Sequence, residues 1–254
     1  MGRFILRYEN LFRSKTHTYS DKVTQYLRGL FQSEKRNIEK MCEKVKDSNM
    51  QNLQHFSSNS PWDAESVMKR VASDTDKVFR KNEEKTGLLI DESGWKKQGK
   101  KSVGVARQYL GSSGKVDNGQ VGVFVSLVQG DKVGIIGTRL YLPAEWTDDR
   151  KRCREAGIPE DKIVFKTRCE LGTDMILSAG REGIGFEWVG GDGFYGNDSK
   201  LRYGTDLSSS VFSPFITDRN VSVGSKTVSE KNRSRDRRIS EWRCIGSFGY
   251  DHRK

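Results

Sequence analysis

The spacing of apolar positions changes near residue 87, and the change predicts two kinds of structure. From Ser20 to about Arg80, Val23, Tyr26, Leu27, Leu30 and Phe31 recur at intervals of three and four, the spacing that gives a helix one apolar face. Ser20 with Asp21 is expected to cap the first of these helices. A second start is expected at Ser60, because Pro61 suits a first turn and Asp63 and Glu65 suit the positive end of a helix dipole. At Gly87 the apolar residues become consecutive, so GLLID reads as a short buried strand closed by a carboxylate, Asp91. Glycines, lysines and Asp117-Asn118-Gly119 then offer turn chemistry. Two further strands follow, joined at Gly130-Asp131 as a hairpin.

Helical patterning returns over Ala144–Ala156 and Lys166–Arg181, broken at Ile158-Pro159, and FEWVGGD predicts a fourth strand ending in Asp192. The order strand, strand, strand, helix, strand suits a mixed sheet in which strands one and four are neighbours and bring both carboxylates to one edge. Three regions are therefore expected: a small helical domain over residues 1–85, an α/β core over 86–200, and a basic, weakly structured tail over 201–254, where serine and arginine replace periodicity.

Composition narrows the partners more than the fold. A formal net charge of +11 favours a polyanion, since neutralising phosphates releases condensed counterions, although basic charge also suits anionic surfaces and solubility. Cys42, Cys153, Cys169 and Cys244 stand singly without a C-x-x-C pair, and His17, His55 and His252 lie far apart, so neither a zinc site nor a disulfide framework is indicated. The apolar start MGRFILRYENLFRSK is short and broken by charge, and no run approaches the ~20 residues that cross a bilayer. No membrane partner and a cytoplasmic location are expected.

Candidate chemistry centres on Asp91 and Asp192, because hard divalent ions take oxygen ligands; an aspartate after a strand is otherwise commonly a turn or cap residue. Glu92 faces away from Asp91 if the strand continues, and so is not assigned as a ligand. Lys96, Lys97, Lys100 and Lys101 form a positive loop that reads either as a contact for a nucleic-acid backbone or as a solvated tip. RKRCR (Arg150–Arg154) reads as a solvated helix face, RSRDRR (Arg233–Arg238) as a solvated or DNA-contacting tail, His55 as structural, and Trp62, Trp95, Trp146 and Trp188 as packing residues.

The blocks NLQHFSSNSPWD (Asn52–Asp63), LLIDESGWKKQGKKSVGVARQYLGSSGKVDNGQVGV (Leu88–Val123), TRLYLPAEW (Thr138–Trp146) and GGDGFYGND (Gly190–Asp198) resemble, in content and order, hallmark segments of insertion-sequence DDE transposases. The likeness spans roughly Arg3 to Lys200. It implies a ribonuclease-H-like catalytic core, with Asp91 and Asp192 as the first and second catalytic metal ligands. It further implies Mg²⁺ or Mn²⁺ as cofactor, double-stranded DNA (element ends and target) as partner, a homodimer as one assembly, and nucleoid association when bound. The family's third ligand is a glutamate on a later helix that no segment here matches; Glu230 and Glu241 stand in Arg- and Ser-rich sequence. The chain is thus expected to leave the family pattern after about Lys200, as a truncation or frameshift would produce. Two readings stay open: a transposase that cleaves and transfers DNA strands, and a catalytically incomplete DNA-binding remnant of one.

Overall fold

The computed structural model describes residues 2–81, 83–204, 215–217, 222–223 and 226–227, with side chains over 4–81 and 83–202. It divides into two compact units, Met1–Val71 and Ala72–Lys254. Glu230, Glu241 and the Arg233–Arg238 cluster lie outside the described residues.

The first unit contains α1 (Gly2–Leu6), α2 (Ser20–Gln32), α3 (Ile38–Lys44), α4 (Met50–Ser58) and the start of α5 (Ala64–Phe79). Its core is an aromatic cluster in which Phe12 lies 5.1 Å from Trp62 and Phe56 stacks on Trp62 at 5.9 Å, with Ile5, Tyr8 and Val23 buried round them. Two start signals lie elsewhere than expected. Tyr19 holds the cap position of α2 without a side-chain cap bond, and Ser20 is already helical. At α5 the capping side chain is Asp63, which accepts from the backbone N–H groups of Glu65 and Ser66 at 2.9 and 3.2 Å, while Ser60 and Pro61 precede the helix. Asp63 satisfies orphan donors of the first turn there, and those bonds hold its carboxyl below the usual range, the Ser66 hydroxyl contributing most.

The second unit is built on a mixed sheet of β1 (Gly87–Lys96), β2 (Ala106–Leu110), β3 (Lys115–Gln129), β4 (Lys132–Leu140), β5 (Trp188–Gly191) and β6 (Phe215–Thr217). The order is β2-β3-β1-β5-β6, with β4 also paired to β3. β1 is antiparallel to β3, which is antiparallel to β2 and β4; β5 runs parallel to β1, and β6 parallel to β5. Between β4 and β5 come α6 (Ala144–Thr147), α7 (Arg150–Glu155) and α8 (Arg168–Arg181), and after β5 come α9 (Gly193–Gly196) and α10 (Ser199–Gly204). A further two-stranded ribbon pairs β7 (Ser222–Val223) with β8 (Lys226–Thr227). This is the α/β arrangement, a mixed sheet with flanking helices, expected of a ribonuclease-H-like core.

Strand period decides which side chains meet. Leu88, Ile90, Val123, Val125, Leu127 and Val189 share one face and pack with Met175, Ile176 and Ala179 of α8 and with Ala72 and Phe79 of α5. Contact with α8 is close at Gly172, where an added Cβ would lie 1.8 Å from Ile90 Cδ1. Leu89, Asp91, Ser93 and Trp95 alternate onto the opposite face.

Three expectations need correction. β1 continues to Lys96, so Asp91 lies in mid-strand rather than at a strand end. Asp117-Asn118-Gly119 lies inside β3, paired to β1 and β2, and the turn before β3 is made by Gly111–Gly114 with Gly114 at φ +63°. The helical pattern from Ala144 is split into α6 and α7. The Gly130-Asp131 hairpin is as read, a two-residue loop with Gly130 at φ +58°.

Candidate active site

Register brings the two aspartates together. β1 and β5 pair in parallel from Gly87 with Trp188 to Ile90 with Gly191, and the next step of that register places Asp91 beside Asp192. Asp192 keeps an extended backbone (φ −70°, ψ −178°), so it follows the path of β5 by one residue before α9 begins. Both therefore lie on the face away from the α8 core, on strands about 4.8 Å apart.

Each carboxylate has one oxygen fixed by the backbone. Asp91 Oδ1 accepts from the N–H of Glu92 at 2.7 Å, and Asp192 Oδ1 accepts from those of Phe194 and Tyr195 at 3.0 and 3.2 Å. No described residue bonds to either Oδ2. Both side chains keep an exposed surface, yet the protein packed round Asp91 removes enough water to raise its carboxyl above the usual range. The negative charges of Asp192 and Glu92 add to this, against the Glu92 N–H bond. Two oxygen-donor groups on one rigid edge, repelling each other in the absence of a counter-charge, fit a hard divalent cation. Among the described residues no group of three or more His, Cys, Asp or Glu side chains is placed to hold a metal ion.

Glu92 points away from Asp91, as strand alternation requires, into the rim of the core. Its carboxylate accepts from the guanidinium of Arg168 and from the hydroxyl of Tyr195 at 2.9 Å. Tyr195 is fully buried, and burial, followed by the charge of Glu92, drives its hydroxyl well above the ordinary phenol range. Arg168 also lies over the rings of Tyr141 and Phe194, at 5.2 and 5.8 Å. Sequence reading missed both Arg168 and Tyr195. One signal was available for the first: an arginine in the opening turn of α8 opposes the helix dipole, which usually means a specific acidic partner.

The lysine loop lies five residues further along β1 than Asp91, roughly 16 Å by strand rise. Side chains fix its backbone: Asn118 Nδ2 donates to the carbonyls of Lys97 and Gly99 at 2.7 and 3.0 Å, Arg152 to that of Lys100 at 2.8 Å, and Trp146 to that of Val105 at 2.9 Å. Lys96 pairs with Asp117 at 2.9 Å, whereas Lys97, Lys100 and Lys101 have no ion-pair partner among the described residues. Arg150–Arg154 is only partly the solvated face expected: Arg150 and Arg154 bind Glu160, Arg152 stacks on Trp146 at 3.7 Å, and Cys153 is buried. Of the tryptophans, Trp146 is wholly buried while Trp95 is 45% exposed and meets Phe124 edge-on.

The sequence profile of the DDE superfamily endonucleases matches residues 9–239, most of the chain. The chain belongs to the DDE superfamily endonucleases. The match runs past Lys200, further than the motif blocks alone. A probable transposase for the insertion sequence element IS701, from Microchaete diplosiphon, is 35% identical over 152 residues, covering 60% of this chain and 36% of that protein. The aligned part thus amounts to about a third of the relative's length. DDE endonucleases use divalent metal ions, and transposases of this class act on DNA, so the paired aspartates are of the right chemical type for the family. No helix among the described residues is long and apolar enough to cross a membrane.

Proposed function

We propose that this DDE endonuclease is the transposase of an insertion sequence, catalysing metal-dependent DNA strand cleavage and strand transfer with Asp91 and Asp192 as metal ligands. The observation that carries the reading is the β1–β5 register, which sets two half-anchored carboxylates side by side on an open face. Asp91 and Asp192 would hold Mg²⁺ or Mn²⁺ through their Oδ2 atoms. When bound, the ions compensate charge on both oxygens of an in-line displacement at phosphorus.

In cleavage, water attacks the phosphorus and the 3′ oxygen leaves. In transfer, the freed 3′-hydroxyl attacks a target phosphate and the target's own 3′ oxygen leaves. Lys96, Lys97, Lys100 and Lys101 would bind the duplex backbone a few base pairs from the reacting phosphate, on a loop whose carbonyls are already fixed. The helical N-terminal region, residues 1–85 by sequence pattern, would either bind the element ends or serve only in packing, and a homodimer would bring two ends together.

Asp91→Ala and Asp192→Ala are each expected to abolish Mg²⁺-dependent nicking of terminal-repeat DNA while leaving duplex binding intact. Nicking that survives in both variants removes these residues from the reaction. The unsubstituted chain separates the two readings: retarding terminal-repeat DNA without nicking it at any Mg²⁺ or Mn²⁺ concentration identifies a noncatalytic DNA-binding remnant.

A further inference from the structure

Resting on the metal-site reading above, we infer that Tyr195, Glu92 and Arg168 form a positioning device that holds the Asp192 turn against β1 and sets the separation of the two aspartates. Hydrogen bonds run without a break from one carboxylate to the other. The backbone N–H of Tyr195 donates to Asp192 Oδ1 at 3.2 Å, its hydroxyl donates to Glu92 Oε2 at 2.9 Å, and the backbone N–H of Glu92 donates to Asp91 Oδ1 at 2.7 Å. Tyr195 thus touches the Asp192 side through its main chain and the Asp91 side through its ring. Arg168 bonds the other oxygen of Glu92, so the carboxylate is held at both ends and turned away from the aspartates.

Burial gives the arrangement its rigidity. Tyr195 is fully buried, and the side chains of Arg168 and Glu92 are 16% and 24% exposed. Removing one member strands its partners' polar atoms in the protein, so the geometry is retained or lost as a unit. The same burial accounts for an arginine in the first turn of α8, where Glu92 and the rings of Tyr141 and Phe194 outweigh the unfavourable helix dipole. These residues act on the ion through the aspartates, as outer partners of metal ligands do, and none of them is a catalytic residue.

The test is Mn²⁺ binding by the full chain, followed by electron paramagnetic resonance without DNA, beside thermal unfolding of the metal-free protein. Tyr195→Phe and Arg168→Met are expected to weaken Mn²⁺ binding roughly tenfold, the lower end for loss of an outer partner of a metal ligand. Arg168→Lys, which keeps a cation in reach of Glu92, is expected to recover most of the loss. Tyr195→Phe added to Asp192→Asn is expected to bind no more weakly than Asp192→Asn alone. Wild-type Mn²⁺ affinity in both Tyr195→Phe and Arg168→Met, even with a lowered melting temperature, overturns the positioning role while Asp91→Asn and Asp192→Asn still report on the site. Binding unchanged in those aspartate variants overturns the metal site and this inference with it.

Discussion

Asp91 and Asp192 were legible as residues because each ends or follows an apolar run, but their surroundings were not. A strand end and a strand interior look alike when the residues beyond are Glu92, Ser93 and Gly94, and only pairing to β3 on one side carries β1 onward to Lys96. Tyr195 carried no local signal, and that of Arg168 named no partner, for a related reason: Glu92 is 103 and 76 residues away from them in the chain. Short-range signals were read one step off where two candidates competed, as with Ser60 and Asp63, since nothing local says which oxygen reaches the free N–H groups. A residue-scale consequence follows at Glu160, which accepts two bonds from Arg154 at 2.9 Å and one from Arg150 at 2.7 Å. Arg154 chiefly, with Arg150, holds its carboxyl down to about 2 from an ordinary 4.5. A depressed folded value stabilises the native state above the ordinary value, and the contribution is lost as the pH falls from about 4.5 towards about 2. Glu160→Gln is expected to flatten that part of the acid limb in thermal melts recorded against pH, by a small amount because the group is exposed; a limb unchanged in slope would contradict the pairing.

Elements were read best where their signals were local. The β3–β4 hairpin needs a positive φ, and Gly130 supplies it; α8 carries its own capping box between Thr167 and Glu170. Asp117-Asn118-Gly119 was misread because turn propensity yields to a strand with neighbours on both edges, where Asp117 instead pairs with Lys96 and Asn118 ties down the lysine loop. β6 was not foreseen, being only three residues long. The α8–β1 contact allows a quantitative expectation. An added methyl at Gly172 would lie 1.8 Å from Ile90 Cδ1, so Gly172→Ala forces the helix off the sheet or Ile90 out of its rotamer, at a cost of about 1–3 kcal/mol despite alanine's better helix propensity. Denaturant melts check the sign: a stabilised variant would mean that the helix stands further from the strand.

For the molecule as a whole, fold class was legible because strand order, hairpin and the two carboxylate-bearing runs agreed with one topology. Charge spoke only to partners. With a formal net charge of +11, duplex affinity is expected to fall steeply with salt, the slope of log K against log salt being about −0.9 for each phosphate neutralised. Replacing Lys97, Lys100 and Lys101 together by glutamine should reduce that slope by roughly 0.9 for each phosphate contact removed. A slope that does not change places the duplex on another surface. Lys96 is the weakest contributor expected, since Asp117 already neutralises it.

The two aspartates are unequal walls. Asp91 belongs to an interior strand laced to β3 and β5, while Asp192 begins a four-residue helix. If the two hold an ion, as proposed, the spacing it meets on the Asp192 side is set by the bonds of Tyr195, Glu92 and Arg168 and not by strand pairing. On that proposal, sequence changes in the short turn that starts at Asp192 are expected to alter which hard cation fits while the β1–β3 pairing that carries Asp91 stays in place.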